Sequence, residues 1–316
     1  MIQVSRDSEP LAAVSPVAPT GPVLVASDGD ADVGEALCVA ARMASGALGS
    51  AVEVVGVCEP PPVLGTEVVE VPRPSRELEA RRMALFQADV ARTLSVSPSG
   101  DPSWPVTVLA GSPSRTLAGH AAARQASLLV MGLGRHSPLD RLFGRETTVA
   151  TLRDTTVPVL AVGPSFPRHP SHAVVGVDFG EASTRAAQLA LRFLAPGGRL
   201  SLVHVAPRFA RPVEGWERWD AEYAGTLPAL FERLVARLDP PPEILVETVV
   251  LRGDPAATLL ARVQQERAPL LAVGAERVGA VDRLLVGSVA TSLLRTARSG
   301  MLVVRGPGER PRGPGT

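Results

Sequence analysis

One pattern, short apolar runs alternating with helix-length amphipathic segments, is written twice along this 316-residue chain, and that doubling limits the fold more than any other feature. Residues 22–27 (PVLVAS) form an apolar run ending in Asp28, and an Ala- and Leu-rich segment from Val33 to Met43 follows with helical spacing. A second run, Ala51–Val57, leads through a Pro-rich loop to a helix predicted over Ser75–Leu94, where Met83, Phe86, Val90 and Leu94 fall at i, i+3, i+7 and i+11. Then come Val106–Ala110, a helix over Ser114–Arg124, the run Leu128–Met131, a glycine-bearing loop, a helix near Thr147–Arg153 and Val157–Val162. Continuous Val-rich runs this short are too brief for whole helices and do not alternate like half-exposed strands. They predict an α/β fold with a parallel sheet covered on both faces.

The order restarts after GPSFPRHPS (163–171). His172–Asp178 (HAVVGVD) matches the first run, Leu200–Val205 (LSLVHV) the second, and Leu227, Leu230, Leu234 and Leu238 mark the longer helix. Gly111 and Gly253, Gly132 and Gly274, and Pro158 and Gly300 each stand 142 residues apart, and at that offset Asp140–Leu142 falls on Asp282–Leu284. A tandem duplication accounts for this. The expected division is a disordered tail at 1–20, one domain over 21–164, a linker at 165–171, a second domain over 172–306 and a disordered tail at 307–316, rich in Gly, Pro and Arg.

Composition removes several classes of function. The formal charge is zero, with 13 Arg against 17 Asp and Glu in residues 1–166 and 19 against 15 in 167–316, so the halves stand near −4 and +4. A nucleic-acid or anionic-membrane partner is not expected of such a balance. The first twenty residues do not read as a signal peptide, and the expectation is a cytoplasmic protein. Cys38 and Cys58 lack any metal or redox spacing and are expected to be reduced core thiols. Lysine is absent, so there is no GxxxxGK[ST] loop, and Gly132-Leu133-Gly134 continues with Arg135 and His136 rather than completing a dinucleotide fingerprint. His136 and Asp140 lack the third group of a catalytic triad, and His204, at the end of a buried strand, reads as a satisfied core residue. Trp216 and Trp219 form either a partner-contact patch or local packing.

Each half places its distinctive residues at strand ends: Asp28 and Asp178 after the first strands, Gly111 and Gly253 after the third, Gly132 and Gly274 after the fourth. Ligands of open parallel sheets bind there, against glycines and free helix-start amides. Gly287-Ser288, directly before the apolar segment Val289–Leu294, offers amides, a hydroxyl and a positive helix end to an anion.

Together, LAVGAERVGAVDRLLVGSVATSLLR (271–295), VLRGDP (250–255), VVGVDFGEAS (174–183) and LVHV (202–205) resemble the universal stress protein family, and the resemblance covers about 20–163 and 172–305. It implies five parallel strands per half in the order 3-2-1-4-5, with the fifth strands, Val159–Val162 and Leu302–Val304, pairing so that one chain is an internal pseudo-dimer. A further homodimer is compatible with it. It also implies an adenine nucleotide, ATP first, on a loop of Gly, two residues, Gly, nine residues, then Gly with Ser or Thr. Any magnesium would accompany the nucleotide. Carried onto the second half, the loop runs from Gly274 to Gly287 and Ser288, with Val289 following and Arg277 in place of the second glycine. Asp178, Val205 and Gly253 flank base, ribose and phosphates. Arg277 could block the cradle or reach a phosphate. In the first half Arg135, Arg145 and Glu146 replace the small residues, unless Gly134 and Gly144 serve after a deletion. The implied function is a stress-response regulator acting through an unknown protein partner, not an enzyme, with slow hydrolysis left open. A nucleotide-independent scaffold, its sites blocked by Arg277, Arg145 and Glu146, is the alternative.

Overall fold

The computed structural model of the chain describes residues 21–59, 75–133, 140–206, 214–275 and 288–306, and of 140–145 the backbone only. The first half runs β1 (Val23–Ala26), α1 (Ala31–Leu48), β2 (Val52–Cys58), α2 (Arg76–Val96), β3 (Val106–Ala110), α3 (Pro113–Ala123), β4 (Leu128–Gly132), α4 (Asp140–Asp154) and β5 (Val159–Val162). The second runs β6 (His172–Gly176), α5 (Glu181–Phe193), β7 (Arg199–Ala206), α6 (Trp216–Leu238), β8 (Leu245–Arg252), α7 (Pro255–Glu266), β9 (Leu270–Ala275), α8 (Ser288–Thr296) and β10 (Gly300–Arg305). The tails at 1–20 and 307–316 lie outside the described residues.

Ten strands form one sheet in the order β3-β2-β1-β4-β5-β10-β9-β6-β7-β8. Each half therefore has the order expected from the resemblance, with every pair inside a half parallel. The halves join through one antiparallel pair, in which Met301, Leu302 and Val303 face Ala161, Leu160 and Val159. Antiparallel joining sends the carboxyl ends of the two halves to opposite edges of the sheet.

Alternate strand residues enter opposite cores. Val23 and Val25 pack under α1 and α2, while Leu24 packs with Leu117 and Leu152 on the other face, all nearly solvent-free. The same division holds in the second half, so α1 meets α5 on one face of the seam and α4 meets α8 on the other. Local chemistry sets helix ends. Asp30 caps α1 by accepting from the Asp32 amide and Gly49 ends it in the left-handed region; Asp254 caps α7, with Pro255 at its first position.

Two expectations need correction. The helix predicted from about Thr147 begins at Asp140, about two turns earlier. Gly144 and the polar residues before Thr147 lack a helical apolar stripe, but burial of Thr148, Val149 and Leu152 anchors the helix, which extends backward from there. Cys58 is half-buried at the end of β2, not a core thiol, because it meets the polar end of the Arg82 side chain of α2 and not an apolar core; Cys38, 1% exposed, is one.

Candidate functional site

The switch point of the second half lies between β6 and β9, whose following helices cover opposite faces of the sheet. Asp178 follows β6 and is exposed. Its Oδ1 accepts from the Gly180 amide at 2.9 Å and from the Ser183 hydroxyl, so the carboxylate is turned onto the first turn of α5. Gly274, next to last in β9, lies under that same turn: a Cβ there would stand 2.4 Å from the Ser183 nitrogen. Its missing side chain is thus required by helix packing, whatever else it serves. Gly132, its twin in the first half, meets only the end of the Val33 side chain, at 3.1 Å.

Val205, near the end of β7, packs toward α7 and α8. Gly253 follows β8 at φ +150°, and its Cβ would stand 2.7 Å from Thr258 Oγ1; Gly111 repeats this at φ +146° against Thr116. These glycines make the tight entry to α7 and α3. Ser288 opens α8 and is exposed, and Val289 is half-buried against the core. Asp178, Ser183 and Gly274 thus form one contact set, and Val205 and Gly253 end the neighbouring strands. Arg277 and Gly287 lie outside the described residues, as do Gly134, Arg135 and His136.

Charge divides the helix starts. At α7 Asp254 accepts from the Ala257 amide, and at α5 Asp178 accepts from the amide of Gly180, just before the helix, with Glu181 in the first turn; both put negative charge where a second anion would sit. The described part of α8, from Ser288 on, has no acidic residue in its first turn. Among the described residues no three His, Cys, Asp or Glu side chains are grouped to hold a metal. Of these positions, the described start of α8 at Ser288 presents the least negative charge to an anion.

In the first half the equivalent junction does not exist at Glu146. That residue stands inside α4, and its carboxylate meets Arg295 of α8 at 2.9 Å across the seam. The expectation of Glu146 as a charge pointing at a phosphate is corrected accordingly. The side chain of Arg145 lies outside the described residues.

Two assemblies escaped the sequence reading. An aromatic chain runs from the core outward: Phe231 meets Phe179 edge-on at 5.0 Å, Phe179 meets His204, and Tyr223 stacks on Trp219, which touches Trp216. Trp216, Trp219 and Tyr223 stand at i, i+3 and i+7, a stripe the sequence did display. The two tryptophans pack on each other, and Trp219 also remains 44% exposed. His204 is a satisfied core residue as expected: Nδ1 donates to the Val177 carbonyl at 2.8 Å, so Nε2 accepts from the Tyr223 hydroxyl at 2.5 Å. Burial pushes that phenol up.

The second assembly lies at the opposite edge. His172 Nε2 is 2.9 Å from Ser201 Oγ and 3.1 Å from Glu266, while Arg199 donates to Nδ1 at 3.1 Å; Glu247 and Arg262 complete the set. It resembles a serine-histidine-acid triad but cannot act as one. An arginine only donates, so Nδ1 holds the lone pair and Nε2 the proton, and no base faces Ser201. Four elements contribute, which is why no local motif announced it.

The fold and its strand-end crevices place the chain among tandem, doubly wound α/β proteins with ligand-type sites at the carboxyl ends of parallel strands. The sequence profile of the Universal stress protein family matches residues 20–163 and 171–305, and the chain belongs to that family. It is 31% identical over 190 residues to a universal stress protein of Mycobacterium tuberculosis (strain H37Rv); the match spans 58% of this chain and 63% of that relative, less than two thirds of its length. In fold it is similar to a universal stress protein from Archaeoglobus fulgidus, at 17% identity and TM-score 0.59 over 93% of this chain and 99% of that one. A functionally unknown protein from Pseudomonas aeruginosa is similar at 14% identity and TM-score 0.60, over 92% and 95%.

Proposed function

We propose that the chain binds an adenine nucleotide, ATP foremost, in its second half, and acts as a cytoplasmic stress-response regulator through contacts with a protein partner. The observation that carries this reading is Ser288, exposed at the head of the described part of α8 beside β9, with no acidic residue in the turn that follows, while α5 and α7 have carboxylates beside their starts. Asp178, Val205, Gly253 and Gly274 line the strand ends around it, and Arg277, Gly287 and Val289 complete the assignment. Magnesium would be carried by the phosphates. No described helix is long and apolar enough to cross a membrane, which agrees with the proposed location. Among the described residues no general base stands near Ser288, and any turnover is expected to be slow. Equilibrium binding of labelled ATP to the intact protein tests the reading, with Ser288→Asp and Gly287→Asp as controls. Saturable binding lost in both variants supports it, and absence of saturable binding ends it.

A second reading is a nucleotide-independent scaffold of the same fold. It is favoured by Gly274, whose lack of a side chain the packing of Ser183 already explains. Mass analysis of ligand released from freshly purified protein separates the two, since adenine nucleotide bound in the second half excludes the scaffold.

A further inference from the structure

On the face of the seam where α1 meets α5 there is a groove of about 570 Å³, within the general range of roughly 300–1,000 Å³ for small-molecule sites. Its floor is apolar, with Met43 and Leu194 among the core residues that reach it. Its cations come from both halves and from the connection between them. Arg42 on α1 and Arg192 on α5 each stand fourteen residues after the aspartate that follows the first strand, Asp28 and Asp178, so the duplication brings the same position twice to one groove. Arg168 joins them from the segment between β5 and β6, with His169 beside it in the lining.

No carboxylate lines this groove. Arg42 is pinned at the rim by the carbonyls of Ser99 and Gly100, at 2.5 and 2.9 Å, with Asp101 3.7 Å away. Arg168 and Arg192 make no hydrogen bond or ion pair with any described residue. Elsewhere on the surface Arg124 meets Glu53, Arg252 meets Asp220 and Arg218 meets Glu222, while Arg115, Arg185 and Arg237 stand singly among the described residues; here the unpaired arginines share one groove. Converging like charges over an apolar floor are unfavourable when unanswered and favourable once an anion sits among them.

We infer that this groove is a binding site for an amphipathic organic anion, whose carboxylate, sulfonate or phosphate group lies between Arg168 and Arg192 and whose apolar body rests on Met43 and Leu194. The site is separate from the proposed nucleotide crevice. Ser183 marks the crevice end of α5, and Arg192, in the last turn, is about 14 Å further along the helix axis. An occupant would touch both halves and the connection, and so tie one half to the other.

The test is fluorescence titration of the intact protein with 8-anilinonaphthalene-1-sulfonate, an aromatic body with one sulfonate. Saturable binding at one site per chain is expected, weakened roughly tenfold or more by the double variant Arg168→Gln/Arg192→Gln, as befits two charge-assisted contacts. The uncharged N-phenyl-1-naphthylamine should bind weaker by a similar factor, and Ser288→Asp should leave the sulfonate unaffected. Both arginines are exposed, so an unchanged urea midpoint is expected for the double variant. Non-saturable binding, indifference to the double variant, equal binding of the uncharged probe or loss in Ser288→Asp would each overturn the site.

Discussion

Arg305 closes the seam on Leu152: its Nη1 donates to the Leu152 carbonyl at 3.0 Å, and to those of Arg153 and Thr155 at 2.9 and 3.0 Å. The last strand of the second half thereby caps the carboxyl end of α4, where helix carbonyls lack internal donors and a cation answers the dipole. At 6% exposure the guanidinium has little water to replace these partners.

Arg305→Met should therefore destabilise the fold by about 3 kcal/mol, because three inward-facing carbonyls lose a charged donor. Glu146→Gln, which removes the other link across the seam, should change stability by about 0.5 kcal/mol, since Arg295 and Glu146 are half-exposed. Urea unfolding of both variants measures the ratio. Equal shifts would mean that Arg305 does not cap α4.

Gly274→Ala and Gly132→Ala separate packing from ligand approach. The first puts a Cβ 2.4 Å from the Ser183 backbone and must push α5 off the sheet; the second meets only a movable Val33 methyl. The expected costs are about 2–3 kcal/mol for Gly274 and under about 1 kcal/mol for Gly132, read from urea midpoints without nucleotide. A neutral Gly274→Ala would return that glycine to a purely ligand-facing role.

The alternation and the doubling were legible in the sequence because they rest on period and repetition, and Val159–Val162 and Leu302–Val304 are apolar at every position, as a strand buried on both faces requires; the strand order and the seam came from the family resemblance. The His172 assembly and the setting of Glu146 were not legible, for different reasons. His172, Arg199, Ser201, Glu247 and Glu266 come together only once β6, β7, β8 and α7 are side by side, and each alone reads as an ordinary polar residue. The setting of Glu146 was not legible because the constant offset from Ser288 gives the equivalent position but not its partners: the pair with Arg295 forms only once α4 and α8 meet across the seam. Register predicts what occupies an equivalent position, but not what will face it.

His172 should give stability a pH dependence of known sign. Burial first, and the Arg199 charge second, hold its imidazole below the ordinary value, while Glu266 and Glu247 oppose them. Arg262, Ser201 and the same carboxylates are the groups facing it. The unfolded imidazole takes its proton near about pH 6.5, so below that the unfolded chain binds more protons. The stabilisation is complete above that pH and is lost as pH falls through it toward the lower folded value. The slope of unfolding free energy between about pH 7.5 and pH 5 should be shallower in His172→Gln. Identical slopes would remove His172 as their source.

The two thiols should differ in reactivity. Cys38 is buried in α1, and burial pushes its thiol up. Cys58 is half-buried, with the Arg82 guanidinium 3.4 Å from its sulfur. Titration of the native protein with a disulfide reagent near neutral pH should modify Cys58 alone, and urea should expose Cys38. Modification of both at one rate in native buffer would show that α1 opens readily.

The placement of Glu146 makes the first half a test of what a nucleotide site requires. If the residue identities at 145 and 146 alone excluded ATP there, Arg145→Gly/Glu146→Ser would restore the loop of the second half and raise the stoichiometry from one nucleotide to two. Helix α4, however, already begins at Asp140, so position 146 is interior to it and its backbone amide is committed to the helix instead of facing a ligand. The double variant should also lose the Arg295 pair at a cost of no more than about 1 kcal/mol. The expected result is one ATP per chain before and after the change, measured by equilibrium dialysis, with binding still abolished by Ser288→Asp. A second equivalent of ATP would show that charge, and not the earlier helix start, closes the first site.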